Sequence, residues 1–210
     1  MPSSLRILIS AFEPFDGRAV NASAAALECL VAEPPPGIEI TPVLLPVVGV
    51  VAPRRLVAAI RRHRPDAVVA LGEAGGNAAI AVERIAVNLR DYPIADNAGK
   101  QPRDRPVVKD GPLALSATVP VKKMVDAIRA EGVPAQVSLS AGSYLCNEVM
   151  YAMLHGLQHG ALHGSDGEPP IPAGFVHVPL LPEQIGASSP RPSMGAETVA
   201  RALRAALRRL

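Results

Sequence analysis

From Ala135 to Leu157 the chain reads as a strand, a turn and a helix in immediate succession, and that junction limits the folds open to it. Ala135 to Leu139 alternates small and apolar residues behind Pro134, the pattern of a short buried strand. Beyond Gly142, the residues Leu145, Val149, Met150, Met153, Leu154 and Leu157 recur at helical spacing. Cys146 therefore stands where a strand turns into a helix. A thiol at a helix N-terminus feels the partial positive charge of unpaired backbone N–H groups, which favours the thiolate. The same N–H groups can receive the oxyanion of an attacked carbonyl. This is the geometry of a nucleophile elbow with sulfur in place of the hydroxyl. A buried, inert cysteine is the plainer reading of a lone thiol, and reactivity requires a partner base.

The same alternation runs through the rest of the chain. Leu5 to Ala11 is a buried first strand that ends in the turn-rich Phe12-Glu13-Pro14-Phe15-Asp16-Gly17. Asn21 and Ser23 are N-cap candidates for an Ala-rich helix through Ala32. Ile38 to Val48 is a strand interrupted by Pro42 and Pro46, which suits an edge or a bulge. Pro53 to His63 is a helix with Leu56, Val57 and Ile60 on its inner side. Ala67 to Leu71 is a short buried strand, and Ala79 to Leu89 is apolar and β-branched apart from Glu83, Arg84 and Asn88. Val121 to Glu131 and the segment after Pro192-Ser193-Met194 are helices, and Phe175 to Val178 is a strand. Asp91 to Ala117 lacks periodicity and is dense in proline, glycine and charge, so it reads as a lid, a hairpin excursion or an oligomer contact. The expectation is an α/β fold: one three-layer α/β/α domain over residues 1–210, with a mostly parallel twisted central sheet.

Composition narrows the function classes. Forty-nine per cent hydrophobic and 19% charged residues is globular, and 3% aromatic with no Trp means an aliphatic core. A formal charge of +2 makes no case for nucleic acid. Cys29 and Cys146 do not form a disulfide framework, which favours a reducing compartment. The apolar run near the N-terminus is too short for a signal peptide or a membrane span, so a soluble cytoplasmic protein is expected.

A nucleophilic Cys146 needs a base. His155, His159 and His163 are spaced by four, but Gly156, Gly160 and Gly164 weaken a helix there and no carboxylate completes a ligand set, so no metal is expected. His63 sits among arginines. His177 differs, lying in Phe175-Val176-His177-Val178-Pro179 at a strand end, where a doubly wound sheet places functional groups; a hydrogen-bonded core histidine is its structural alternative. Glu83 interrupts an apolar run and needs a partner if buried. An imidazolium and one of the many arginines serve equally on pattern alone. Gly72 to Asn77 lacks phosphate-loop spacing and reads as a tight turn giving a small neutral ligand access to backbone.

Taken in order, these segments resemble the pyroglutamyl peptidase I family of cysteine peptidases over nearly the whole chain. Ala11-Phe12-Glu13-Pro14-Phe15-Asp16-Gly17 is similar to the family's GFEPFGG loop, and Leu45-Pro46-Val47-Val48 to its second-strand segment. Gly72-Glu73-Ala74-Gly75-Gly76 resembles the GxAGG turn, and Glu83-Arg84-Ile85-Ala86-Val87-Asn88 the ERxAxN strand. Ala141-Gly142-Ser143-Tyr144-Leu145-Cys146-Asn147 is similar to AGTYVCN, and Gly174-Phe175-Val176-His177-Val178-Pro179 to GFIHVP. Each motif alone is weak; six in order are specific. Four positions depart from the pattern. Glu73 stands where the family often has Gln or Leu, Pro93 and Asn77 where many members have Arg, and Leu180 where many have Tyr.

The resemblance implies Cys146 as nucleophile, His177 as base and Glu83 as orienting acid. It also implies an apolar pocket for the pyroglutamyl ring formed by Phe12, Phe15, Val47, Ile94, Tyr144 and Leu145, with main-chain groups at Phe15 and Glu73 binding the lactam. The expected substrates are peptides with an N-terminal pyroglutamate, without cofactor, nucleic acid or membrane, and the family suggests a homotetramer. Two alternatives stay open: another amidase or phosphorylase-type enzyme on the same scaffold, and a non-catalytic or impaired relative that binds blocked peptides.

Overall fold

Ile7 to Phe12 are buried without a break, a run that only a strand covered on both faces can use. In the computed structural model, which describes residues 4–159, 162, 170–186 and 190–210, they form most of β1 (Leu5–Phe12). The chain continues through α1 (Ala22–Ala32), β2 (Ile38–Leu45), α2 (Val51–His63) and β3 (Ala67–Glu73). Then come β4 (Ile80–Glu83), β5 (Ile85–Val87), β6 (Ala114–Ser116) and α3 (Val121–Ala130). The last elements are β7 (Ala135–Ser138), α4 (Leu145–His159), β8 (Ala173–Val178) and α5 (Ala196–Leu207).

Six strands make one sheet in the order β2-β1-β3-β8-β4-β7. All adjacent pairs are parallel except β4 and β8, which run antiparallel. Helix α5 packs against α1 and α3, while α2 and α4 pack together, giving the two helical layers of an α/β/α sandwich. The expected fold class is the observed one.

Several boundaries differ from the sequence expectation for physical reasons. The β2 strand is an edge, as its prolines suggested, but it stops at Leu45. Ala79 to Leu89 breaks at Arg84: its N–H bonds to Ser138 on β7 and its carbonyl accepts from Ala117, so β5 leaves the main sheet to pair with β6. The Asp91 to Ala117 excursion is thus a hairpin closed by that pairing and by an Arg90–Arg105 bridge. The β7 strand, expected to be buried, is the other edge, with Gln136 and Val137 exposed. The final helix begins at Ala196 behind Gly195 without a side-chain cap; Ser193, three residues before it, lies in a backbone bridge with Leu180. Much of the loop expected from Gly160 to Gly174, His163 included, lies outside the described residues.

Candidate active site

Cys146 is the second residue of α4. The chain reaches it through Gly142, whose φ of 77° is a left-handed conformation that glycine adopts without steric cost. The turn is then fixed from outside. Ser143 accepts the Asp91 N–H at 3.1 Å through its carbonyl and donates its hydroxyl to the Asp91 carbonyl at 2.6 Å. Buried Asn147, the next residue after the cysteine, holds Val87 by both its N–H and carbonyl and also donates to the Leu89 carbonyl, each at 2.9 Å. The elbow is braced on both sides of the sulfur.

Register explains how the other two groups meet. Ala81 faces His177 and Glu83 faces Phe175 across the antiparallel β4–β8 pair, so all four side chains lie on one face of the sheet. Glu83 is the diagonal neighbour of His177, and its Oε1 lies 2.8 Å from Nδ1. Both side chains are buried. The other carboxylate oxygen of Glu83 has no hydrogen-bond partner among the described residues. The Phe175 ring packs 4.9 Å from the imidazole, centroid to centroid.

The sulfur meets this face over β3. Gly72 is in register with His177, and a Cβ placed on Gly72 would sit 2.9 Å from Cys146 Sγ and 2.7 Å from the Phe175 ring. Only a residue without a side chain leaves that volume to the thiol. For His177, burial works against the charged ring. The charge on Cys146 and hydrogen bonds with Cys146 and Glu83 overcome that, and its pKa is pushed up to about 10. The imidazole of His177 thus lies between the Glu83 carboxylate and the Cys146 thiol, and Cys146 in turn lines a cavity.

That cavity is small, mostly apolar and lined by Phe12, Phe15, Asn21, Val47, Glu73, Tyr144, Leu145 and Cys146. Of the residues expected around a ring pocket, Phe12, Phe15, Val47, Glu73, Tyr144 and Leu145 are brought together, and Ile94 is not. Its segment turns Tyr92 inward and leaves Ile94 39% exposed. Asn21, read from sequence only as a helix cap, is both: its Oδ1 accepts the Ser23 N–H while its side chain lines the cavity. Glu73, expected to matter only through its backbone, has a buried carboxylate that binds Arg18, the Ala22 N–H at the start of α1 and the Gln184 amide. Arg18 in turn lies 5.7 Å above the Phe15 ring. Cys29 is elsewhere, on α1 beside Glu197 and Arg204 of α5. The His155 ring stacks on Tyr151 and meets His159 at a tilt, and among the described residues no group of three His, Cys, Asp or Glu side chains is placed to hold a metal ion.

A parallel-rich α/β sheet that presents a thiol at a helix start, backed by an imidazole–carboxylate pair, has the arrangement of a cysteine hydrolase. The pyroglutamyl peptidase family profile matches residues 5–210, and the chain belongs to that family. It is 43% identical over 203 residues to a pyrrolidone-carboxylate peptidase 1 of Photorhabdus laumondii, covering 96% of this chain and 90% of that one. A pyrrolidone-carboxylate peptidase of Vibrio vulnificus is 40% identical over 198 residues, with 94% and 89% covered. The pyroglutamyl peptidase I structure from Bacillus amyloliquefaciens superposes with a TM-score of 0.89 at 33% identity, covering 97% of this chain and 93% of that one. The pyrrolidone carboxyl peptidase of Thermococcus litoralis gives 0.88 at 36% identity, with 97% and 91% covered.

Proposed function

We propose that this protein hydrolyses the bond after an N-terminal pyroglutamyl residue of peptides, through a Cys146-His177-Glu83 triad and an acyl-enzyme. The observation that carries the reading is the Glu83–His177 pair at 2.8 Å on the sheet face where the Cys146 sulfur lies over Gly72, with Cys146 lining an apolar cavity. His177 holds the proton of Cys146, and Glu83 fixes the tautomer and balances the imidazolium charge. The thiolate attacks the pyroglutamyl carbonyl carbon, forming a C–S bond while the carbonyl electrons move to oxygen. First-turn N–H groups of α4, which have no intrahelical acceptor, face that oxyanion. Its collapse breaks the C–N bond, and the amine leaves with the proton of His177. Water, deprotonated by the same imidazole, then cleaves the thioester and returns the thiol.

Specificity follows from the lactam. Pyroglutamate carries no charged amino group, so the cavity formed by Phe12, Phe15, Val47, Tyr144 and Leu145 accepts its ring, with main-chain groups at Phe15 and Glu73 taking its amide. A prolyl ring leaves those groups unpaired, a strong discrimination for a small change. A single domain, a reducing cytoplasmic compartment and a homotetramer belong to the same reading. No helix among the described residues is long and apolar enough to cross a membrane.

Release of a chromogenic amine from a pyroglutamyl amide, with a prolyl amide alongside, tests the proposal. Turnover should vanish on thiol alkylation and in Cys146→Ser, by about a thousandfold or more, and persist in Cys29→Ser. Phosphate-dependent turnover, binding without turnover, or equal losses in the two cysteine variants would refute it.

A further inference from the structure

Glu148 is an unexpected residue to bury two positions after the cysteine. Its side chain is only 3% exposed on the first turn of α4, where a carboxylate ordinarily reaches water. Each of its oxygens has a separate task. Oε1 accepts the Val50 N–H at 2.8 Å, and Oε2 accepts the hydroxyl of fully buried Tyr92. The Arg90 guanidinium, 3.9 Å away, supplies a nearby positive charge. One carboxylate thus grips two loops that are far apart in sequence.

Both loops carry walls of the ring cavity or lie directly behind them. Val50 ends the loop that contributes Val47, and it sits at a φ of 66°, a conformation a β-branched residue adopts only when its surroundings hold it. Tyr92 meets the ring of Tyr144 edge-on, at 4.7 Å and 72°, and Tyr144 lines the cavity with its ring 6.2 Å from Phe15. The loops are also stitched to each other, because the Asn97 N–H bonds to the Val47 carbonyl at 2.9 Å, and the Tyr144 hydroxyl ties the second loop to the start of α4 through the Ala95 carbonyl at 3.2 Å. Gly49 makes the slot: a Cβ there would lie 2.7 Å from the Tyr92 hydroxyl and 3.4 Å from Glu148 Oε2. An apolar side chain in place of Glu148 would fill space, but it would hold neither the strained Val50 nor the tyrosine in a fixed place.

We propose that Glu148, Tyr92 and Gly49 form a buried clamp that sets the Val47 and Tyr144 walls of the cavity, making Tyr92 and Glu148 positioning residues for ring binding. The inference rests on the peptidase reading above. It assigns the clamp to recognition of the ring and not to the reactivity of the sulfur, since its contacts end on cavity walls and none reaches His177 or Glu83.

Steady-state kinetics on a pyroglutamyl amide test this. Tyr92→Phe and Gly49→Ala should each raise KM by about five- to twentyfold, with kcat held within about threefold. Inhibition by free 2-pyrrolidone, which needs only the ring cavity, should weaken in parallel. Alkylation of Cys146 by iodoacetamide, followed by mass, should stay within about twofold, because it needs the thiolate and no ring site. If Gly49→Ala does not fold, Tyr92→Phe decides alone. Unchanged KM and unchanged 2-pyrrolidone inhibition would overturn the clamp, and so would alkylation falling in step with kcat/KM. A wild-type protein that neither turns over the amide nor binds 2-pyrrolidone would defeat the peptidase reading itself, whereas an active wild type with unaffected variants defeats only the clamp.

Discussion

Ala81 stands directly opposite His177 across β4 and β8, and its methyl group is what leaves the path open for Glu83 to reach the imidazole diagonally at 2.8 Å. Diagonal neighbours on an antiparallel pair are about 7–8 Å apart at the backbone, so a larger side chain at the intervening position competes for the same space. Ala81 is 1% exposed and cannot shed extra bulk into solvent.

Ala81→Val should therefore lower kcat by about ten- to a hundredfold by displacing the carboxylate or tilting the ring. Overpacking at a buried site costs about 1–3 kcal/mol, so the fold should survive. Kinetics with a parallel thermal melt check this. Full activity in a folded Ala81→Val protein would mean that Glu83 does not orient His177.

Gly72 makes a sharper test, because two groups of the site occupy the place of its missing side chain. In Gly72→Ala the new methyl would contact the Phe175 ring and Cys146 Sγ, at 2.7 and 2.9 Å before relaxation. A displacement of even about 1 Å at a reacting atom costs on the order of a hundredfold in rate. The expected outcome is a folded protein whose kcat/KM falls by about that factor and whose Cys146 is alkylated more slowly. A crystal structure of the variant with sulfur and imidazole unmoved would contradict the argument.

Protonation of His177 sets the pH behaviour. Its pKa is raised from an ordinary 6.5 to about 10, so the imidazolium persists as pH climbs past 6.5 and is lost only toward 10. The stabilisation it gives the fold is complete below the unfolded value and drains away as pH rises through the folded one. Nitrogen chemical shifts of the ring should thus show imidazolium at pH 8 in the wild type. Cys146→Ser and Glu83→Gln each remove a group that favours the charge while burial continues to oppose it, so each should bring the midpoint down by about a unit or more. The alkaline limb of kcat/KM should track the wild-type midpoint. A wild-type ring titrating near 6.5 would remove the thiolate–imidazolium pair from the mechanism.

The parts legible in the sequence were those whose signal is local. β1 is an unbroken apolar run, α2 carries an apolar stripe, and Cys146, His177 and Glu83 each interrupt a pattern at an element's end. The break at Arg84 was not legible, because the residues on both sides of it are apolar and β-branched, as they would be in one continuous strand. What divides β4 from β5 is the bonding of Arg84 to Ser138 and Ala117, residues brought in by the fold. The exposure of β7 was hidden for a related reason: alternation gives a period, not a position in the sheet order. Glu148 stands in the first turn of α4, where the helix dipole favours any acid, so nothing in the sequence marks it for burial. Its burial depends on Val50 and Tyr92, 98 and 56 residues away along the chain.

Glu73 shows what such a hidden contact implies for stability. Its side chain is 2% exposed, and its carboxylate joins the end of β3 to Arg18, to the first N–H of α1 and to Gln184, which follows the His177 strand. Three segments around the cavity therefore close on one charged group. Glu73→Leu would leave the Ala22 N–H unpaired and Arg18 without its counter-ion, while the Gln184 amide would keep only the Val20 carbonyl at 3.2 Å. Arg18 is 30% exposed and regains water, which lowers the loss below the full value for a buried pair. A destabilisation of about 2–3 kcal/mol is expected, mostly from the orphaned Ala22 N–H and the hydrogen bond lost by Gln184. In a chain of this size that is a fall in Tm of about 4–12 °C. Glu73→Gln keeps an acceptor for one of the donors and should lose about half as much. Because Arg18 lies over Phe15, KM for a pyroglutamyl amide should rise in Glu73→Leu as well, and Arg18→Met should reproduce that rise with a smaller loss of Tm. Equal melting temperatures for wild type and Glu73→Leu would show that the cavity loops are held by their apolar contacts and not by this carboxylate.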